Sequence, residues 1–275
     1  MSTAPPVAQP ASRRWPGLAL FARFAVLKAG TQGLAVVQGF LVVNLLAKHE
    51  YGIYAIAFAA IGAAAVLAGA GLDMFVSSVG GRYAEDRTKF QSVARAAIIL
   101  QTRMTWIGSA VLAAMLPFQL LHAEAGVWSR VAVGLLSIAV LWLQVRNGLQ
   151  RNLLSIRLQI ERNQILEMIS SGLRIVGFLA LAQFPLIEGA ATFLALNLAT
   201  LVLHNRLQAQ ALRGWVEMPI NGEVEVSERQ REAWTMTRQQ LPNSCYWAFQ
   251  GQIPYLLMSL FGSLATVAEI GRAHV

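Results

Sequence analysis

Charge is scarce in this sequence. Only 13% of its 275 residues are Asp, Glu, Lys or Arg, about half of what a soluble domain uses to wet its surface, while 56% are hydrophobic. That balance excludes a cytosolic enzyme and a disordered chain, and suits a chain solvated mainly by lipid. Cysteine is almost missing: Cys245 stands alone, so no disulfide can form within the chain. The four histidines, His49, His122, His204 and His274, do not pair at metal-ligand spacing. No CxxC, HExxH, GxSxG or Walker string occurs, so neither a metal nor a cofactor is expected. Acidic residues are outnumbered by Lys and Arg, 14 to 22, for a net charge of +8. In a soluble protein this excess would suggest nucleic acid. Here the basic residues fall between apolar runs and not on one stripe, so no nucleic-acid partner is expected.

What is present is a series of apolar runs. A span needs about 20 mainly apolar residues. Seven stretches qualify: Phe21–Ala47, Ile53–Val79, Ala97–Leu121, Val127–Leu149, Met168–Phe184, Gly189–Leu203 and Met236–Leu260. Continuous runs, not alternating ten-residue segments, indicate helices. The expected fold is an all-α polytopic membrane bundle. Residues 1–20 read as a disordered cytoplasmic tail and 21–205 as a six-helix lobe. Residues 206–235 read as an amphiphilic cytoplasmic linker, and 236–275 as a seventh helix with the start of an eighth. The second lobe is expected to be incomplete, in a truncated chain.

Orientation follows from the basic residues. With the N-terminus inside, Arg13, Arg14, Arg23 and Lys28 precede or open the first span. Arg82, Arg87, Lys89 and Arg95 fall between the second and third, and Arg146, Arg151, Arg157 and Arg162 between the fourth and fifth. Arg206, Arg213, Arg229, Arg231 and Arg238 follow the sixth. The opposite side holds only Lys48 and Arg130. This asymmetry puts the N-terminus in the cytoplasm. Connections on the far side are only a few residues long, which leaves no room for an external catalytic loop and argues against an enzyme.

Charges inside spans cost about 2.5–3.5 kcal/mol each at a helix centre, so they are rarely incidental. Lys28, Arg103 and Arg174 all lie in odd-numbered spans, which places them at similar depth in the inner half. Either they snorkel to the headgroups, or they line a cationic cavity for an anionic head such as diphosphate. Asp73 is the one acid well inside a span, open to a coupling, ion-pair or interfacial role. Gln38, Asn44, Gln144, Asn197 and Gln250 are candidate polar lining, able to bond across helices or to sugar hydroxyls.

Several strings carry a family resemblance. LKAGTQGLAVVQG runs from Leu27 to Gly39, LLAKHEYGIY from Leu45 to Tyr54, AGLD from Ala70 to Asp73 and GGRY from Gly80 to Tyr83. The sequence resembles the polysaccharide biosynthesis proteins, the O-antigen and exopolysaccharide flippases of the multidrug/oligosaccharidyl-lipid/polysaccharide exporter superfamily. The Glu50-Tyr-Gly-Ile-Tyr54 hairpin is the most specific element. The resemblance implies two six-helix lobes around a central cavity in a bacterial inner membrane. It implies movement of a polyprenyl-diphosphate-linked oligosaccharide from the cytoplasmic to the periplasmic leaflet by alternating access. Its partners would be that lipid-linked oligosaccharide, membrane lipids, and a polysaccharide polymerase or glycosyltransferases. Gln38-Gly39 and Gln250-Gly251 stand at comparable places in the first and seventh spans. The family's acidic residue after the seventh-span glutamine is missing at Gln252–Tyr255. A multidrug cation antiporter of the same superfamily and a membrane enzyme of polysaccharide assembly remain as alternatives.

Overall fold

Backbone groups in hydrocarbon must be bonded within their own segment, which leaves helices as the form these runs can take. The computed structural model describes residues 16–122, 125–157, 159–183, 189–216 and 223–261, and among them contains helix but no strand. The helices are α1 (Pro16–Leu45), α2 (Lys48–Ala68), α3 (Leu72–Phe75), α4 (Arg87–His122), α5 (Val127–Ile156), α6 (Ile160–Leu181), α7 (Ala190–Val216) and α8 (Glu223–Phe261). A π-helical segment, Val76–Gly80, continues α3.

Among the described residues, five helices are long and apolar enough to cross a membrane: α1 from Ala22, α2, α4, α5 and α6. The sixth and seventh expected spans fall outside this set among the described residues, because the apolar run of α7 is short and that of α8 is interrupted by Arg238, Gln239, Gln240, Asn243, Gln250 and Gln252. The apolar half of α7 ends at His204-Asn205-Arg206, and α8 opens with the charged stretch from Glu223 to Glu232. The stretch 206–235, expected as a linker, carries the end of α7 and the start of α8, with 217–222 outside the described residues. Helix forms there because Gln208 and Leu212 of α7 and Val226 and Ala233 of α8 recur on buried faces. At the other end α1 begins at Pro16, inside the expected tail; proline is tolerated in a first helical turn, where its missing N–H has no partner to lose. Residues 1–15, and 262–275 with the expected opening of an eighth helix, lie outside the described residues.

Small residues set the closest crossings. On α2 the buried positions Ile53, Ile56, Ala57, Ala60, Ile61, Ala64 and Ala68 follow a three–four spacing, one continuous stripe. Gly108 of α4 rests on that stripe; a Cβ there would stand 3.1 Å from the Ala64 carbonyl oxygen. Gly71 breaks the chain between α2 and α3 at φ 71°, a left-handed conformation that glycine adopts without steric cost. A Cβ at Gly71 would also lie 2.7 Å from Thr237 Cα, so α8 passes backbone against backbone at this turn. The expected second span, Ile53–Val79, is therefore cut at Ala68, and Asp73 lies beyond its end and not within it.

Helix rise calibrates depth. From Arg103 to His122, from Val127 to Arg146 and from Arg162 to Leu181, each helix climbs about 28 Å at 1.5 Å per residue, close to the roughly 30 Å of hydrocarbon in a bilayer. Lys28 stands about 26 Å from Leu45 on α1, and α2 is itself about 30 Å long. One boundary thus runs through the short connections at 46–47, 123–126 and 182–189 (the short-loop end). The other runs through Lys28, Ala68, Arg103, Arg146 and Arg162 (the basic end). Beyond the basic boundary, α4, α5, α7 and α8 share a second packed core that includes Phe75, Phe90, Val93, Leu153, Leu212 and Ala233.

Candidate functional site

Four helices turn polar stripes toward one another. On α5, Gln144, Asn147, Gly148 and Arg151 sit at i, i+3, i+4 and i+7, and on α6 Glu167, Ser170, Ser171 and Arg174 repeat the spacing. Asn197, His204 and Gln208 of α7 and Thr31 and Gln38 of α1 complete the ring. They enclose a cavity of about 300 Å³ inside the lobe. Arg174 stands about 10 Å from the short-loop boundary by helix rise, level with Gln38 of α1 and Asn197 of α7. Arg174 Nη1 donates to Gln38 Oε1 at 3.2 Å and its Nε donates to Thr200 Oγ1 at 3.1 Å. Gln38 Nε2 in turn donates to the Ser171 carbonyl at 3.1 Å, so three helices share one polar knot. Toward the basic end, Asn205 Nδ2 donates to Asn147 Oδ1 at 2.8 Å, and Gln208 Nε2 donates to Asn163 Oδ1 at 2.8 Å. The Gln208 side chain is fully buried, and its Oε1 has no hydrogen-bond partner among the described residues. Above the knot, Phe178 and Phe193 stack at 4.8 Å within an apolar cluster that includes Val42, Val43 and Tyr51, which closes the short-loop end.

A second cavity, of about 650 Å³, lies on the other side of α5. Asp73, Gln101, Gln144, Arg151, Gln240 and Ser244 supply its polar lining, with the small residues Gly62, Ala65, Gly69 and Ala70 as its floor. Gln144, Gly148 and Arg151 line both cavities, so the polar edge of α5 is their common wall. Asn152 Nδ2 donates to Asp73 Oδ1. Asp73 is accessible from the cavity yet surrounded largely by protein. That partial loss of water raises its pKa above the ordinary value, while the Arg151 charge and the Asn152 hydrogen bond oppose the rise. The lining suits a polar, hydroxyl-rich or anionic guest: amides that donate and accept, one guanidinium at the join, and no metal-binding cluster of His, Cys, Asp or Glu among the described residues.

The residues singled out from sequence divide unevenly. Gln38, Arg174 and Asn197 line the smaller cavity, Asp73 the larger, and Gln144 both. Lys28, Asn44 and Gln250 are exposed and line neither; Asn44 Nδ2 bonds the Phe40 carbonyl of its own helix at 2.7 Å. Arg103 is exposed in a separate recess between α4 and α8. The expectation that Lys28, Arg103 and Arg174 share a depth and a cavity is corrected. Lys28 and Arg103 stand at the basic boundary, where a guanidinium or ammonium reaches water, and only Arg174 lies within the hydrocarbon layer. Arg151, His204, Gln208 and Gln101 were missed. Arg151 reads as a loop residue in sequence, although the Gln144–Arg151 stripe at i, i+3, i+4 and i+7 was visible there.

Comparison with known proteins adds a family. No curated protein and no solved structure matches the chain. The model of the polysaccharide biosynthesis protein family matches residues 22–265, nearly the whole sequence. With five helices able to cross a membrane, this makes the chain a multi-pass membrane protein concerned with polysaccharide-related transport. The chain belongs to the polysaccharide biosynthesis protein family.

Proposed function

We propose that the protein carries a polyprenyl-diphosphate-linked oligosaccharide across a bacterial inner membrane, from the cytoplasmic to the periplasmic leaflet, by alternating access. The basic end faces the cytoplasm, as the Lys and Arg distribution favours. The observation that carries this reading is the pair of cavities meeting at Arg151, both polar along their walls, the smaller with stacked aromatics above it at the short-loop end. A diphosphate needs charge-assisted hydrogen bonds once it leaves water, and Arg151 offers a planar fork of donors at the cavity mouth. Gln101, Gln144 and Gln240 exchange hydrogen bonds with sugar hydroxyls, while the lipid tail stays in the bilayer. Transport, not catalysis, is the role; a polysaccharide polymerase and glycosyltransferases act before or after it on the same lipid-linked glycan. A multidrug cation antiporter would draw on Asp73, but the Arg151 charge beside that carboxylate disfavours a cationic guest.

The test replaces Arg151 in the protein expressed in cells that depend on it for surface glycan. Arg151→Gln is expected to lower surface glycan at least about tenfold, the equivalent of losing one charge-assisted contact, at unchanged membrane levels of the protein. Arg151→Lys is expected to recover part of the loss. Undiminished glycan with Arg151→Gln overturns the reading, and altered drug tolerance with intact glycan replaces it with the antiporter.

A further inference from the structure

The recess that holds Arg103 shares no lining residue with either polar cavity. It measures about 320 Å³ and lies between α4 and the start of α8. Ile99, Met104 and Ile107 form its apolar wall, and Gln230 and Trp234 of α8 face them. Arg103 makes no hydrogen bond or ion pair with the protein among the described residues, and its side chain is exposed. By helix rise it stands about 28 Å from His122, at the level where hydrocarbon gives way to headgroups. Trp106, one turn deeper on the same helix, is 65% exposed, and Trp234 is 48% exposed, the placement of aromatic rings that flank a membrane boundary.

We propose that this recess binds an anionic glycerophospholipid of the surrounding bilayer, its phosphate on Arg103 and an acyl chain along Met104 and Ile107. A guanidinium left without a protein partner at headgroup depth is matched by a phosphate, which it can bond through two parallel donors. Gln230 adds a further donor beside it, and the indole of Trp234 covers the glycerol region. Charge complementarity selects an anionic lipid over a zwitterionic one. Arg95 lies two turns along α4 and Arg231 follows Gln230, both exposed, while the neighbouring Glu232 is held by Arg229 at 2.9 Å. The ammonium of a choline headgroup would meet this excess of positive charge. The lipid would bridge α4 and α8, the helix on which the second cavity also depends through Gln240 and Ser244.

Native mass spectrometry of the detergent-purified protein tests this, with phosphatidylglycerol, phosphatidylcholine and undecaprenyl phosphate as probes. Phosphatidylglycerol is expected to be retained about tenfold more strongly than phosphatidylcholine, the size of one charge-assisted contact. Arg103→Gln is expected to remove most of that preference and Arg103→Lys to keep part of it. Should Arg103→Gln fail to fold, Trp234→Ala reads the same loss from the opposite wall. Equal retention of the two phospholipids by the wild type, or an undiminished preference in Arg103→Gln, overturns the proposal. Displacement of phosphatidylglycerol by equimolar undecaprenyl phosphate also overturns it, because the recess would then hold the carried lipid.

Discussion

Both ends of the bundle have an apolar core, and the basic end adds to it a rim of polar contacts. At the short-loop end the contacts are apolar and continuous: the α2 stripe packs against Leu112, Leu116 and Leu120 of α4 and against Val133, Val140 and Leu141 of α5. Phe178 and Phe193 stack beside them. One polar contact there is also structural: Glu50 accepts the Ala190 backbone N–H at 2.8 Å and so caps α7 from another helix. At the basic end, outside the apolar core that includes Phe90, Val93 and Ala233, α8 also meets the start of α4 and the segment before it through polar groups. Arg229 lies 4.9 Å from the Tyr83 ring centre and Lys89 Nζ 5.5 Å from it. Arg229 Nη2 donates to Tyr83 Oη at 3.2 Å, and Ser92 donates to a Glu225 carboxylate oxygen at 3.2 Å. Each such contact is weak because water competes for it. The difference teaches which contacts can loosen. Separating interdigitated side chains loses many dispersion contacts at once, whereas the polar contacts can exchange one at a time for water. The polar rim of the basic end can therefore loosen while the apolar core behind it, with Phe90, Val93, Leu212 and Ala233, still holds α4, α7 and α8 together.

The largest expected effect tests the apolar end. Phe178→Ala empties a site whose side chain is 1% exposed and removes the stack on Phe193. The expected loss is about 3 kcal/mol of stability, read as a lowered unfolding midpoint of the detergent-solubilised protein. A loss no larger than that of a substitution at the Tyr83–Arg229 contact would erase the contrast between the ends.

That contrast was only partly legible in the sequence. The all-helical membrane fold was readable from apolar runs alone, since lipid permits little else. Depth was not. Ala97–Leu121 is about 36 Å long as a helix, several residues more than the hydrocarbon needs, so the run does not say where its boundary falls. The end of α4 at His122 fixes it, and with it moves Arg103 from two turns inside the span to its edge. Arg174 survived as a cavity residue because the end of α6 at Leu181 puts it inside on any register. The amphiphilic stretch 206–235 hid helix for a different reason. Its buried positions are few and include Gln208 as well as Val226 and Ala233, so the apolar stripe that would mark it is thin. Gly71 was read as part of a span; its positive φ is a property of the turn it makes against α8, which a lone sequence does not reveal.

A smaller effect sharpens the comparison at the basic end. Arg229→Ala removes the Tyr83 hydrogen bond, the contact over its ring and the Glu232 pair together. The expected cost is about 1 kcal/mol, a typical size for such contacts at exposed sites. Hydrogen exchange is the sharper measurement. Amides in residues 80–95 and 225–235 are expected to exchange faster in the variant, while those around Phe178 and Phe193 keep wild-type rates. Faster exchange at both ends would mean that they open together, and unchanged exchange at the basic end would mean that these contacts fasten nothing.

The smallest effect is a pH dependence confined to the same end. Asp86 precedes α4, and its Oδ1 accepts the Lys89 backbone N–H at 3.1 Å, the bond that starts the helix. That bond, reinforced by the Lys89 ammonium 3.5 Å from Oδ2, holds the Asp86 carboxyl below its ordinary value of 3.8. A carboxyl with a folded-state pKa below its unfolded one adds stability that is fully present above the unfolded value and disappears as pH falls through the folded value. Unfolding midpoints of wild type and Asp86→Asn should therefore differ in favour of the wild type near neutral pH and converge below pH 3.8. The asparagine keeps the acceptor for the Lys89 N–H, so the difference isolates the charge. The group is fully exposed, so added salt should shrink the difference as well. A difference that persists below that pH would make the cap geometric and not electrostatic. Phe178→Ala should show neither dependence, because no charge lies in the apolar stack it disrupts.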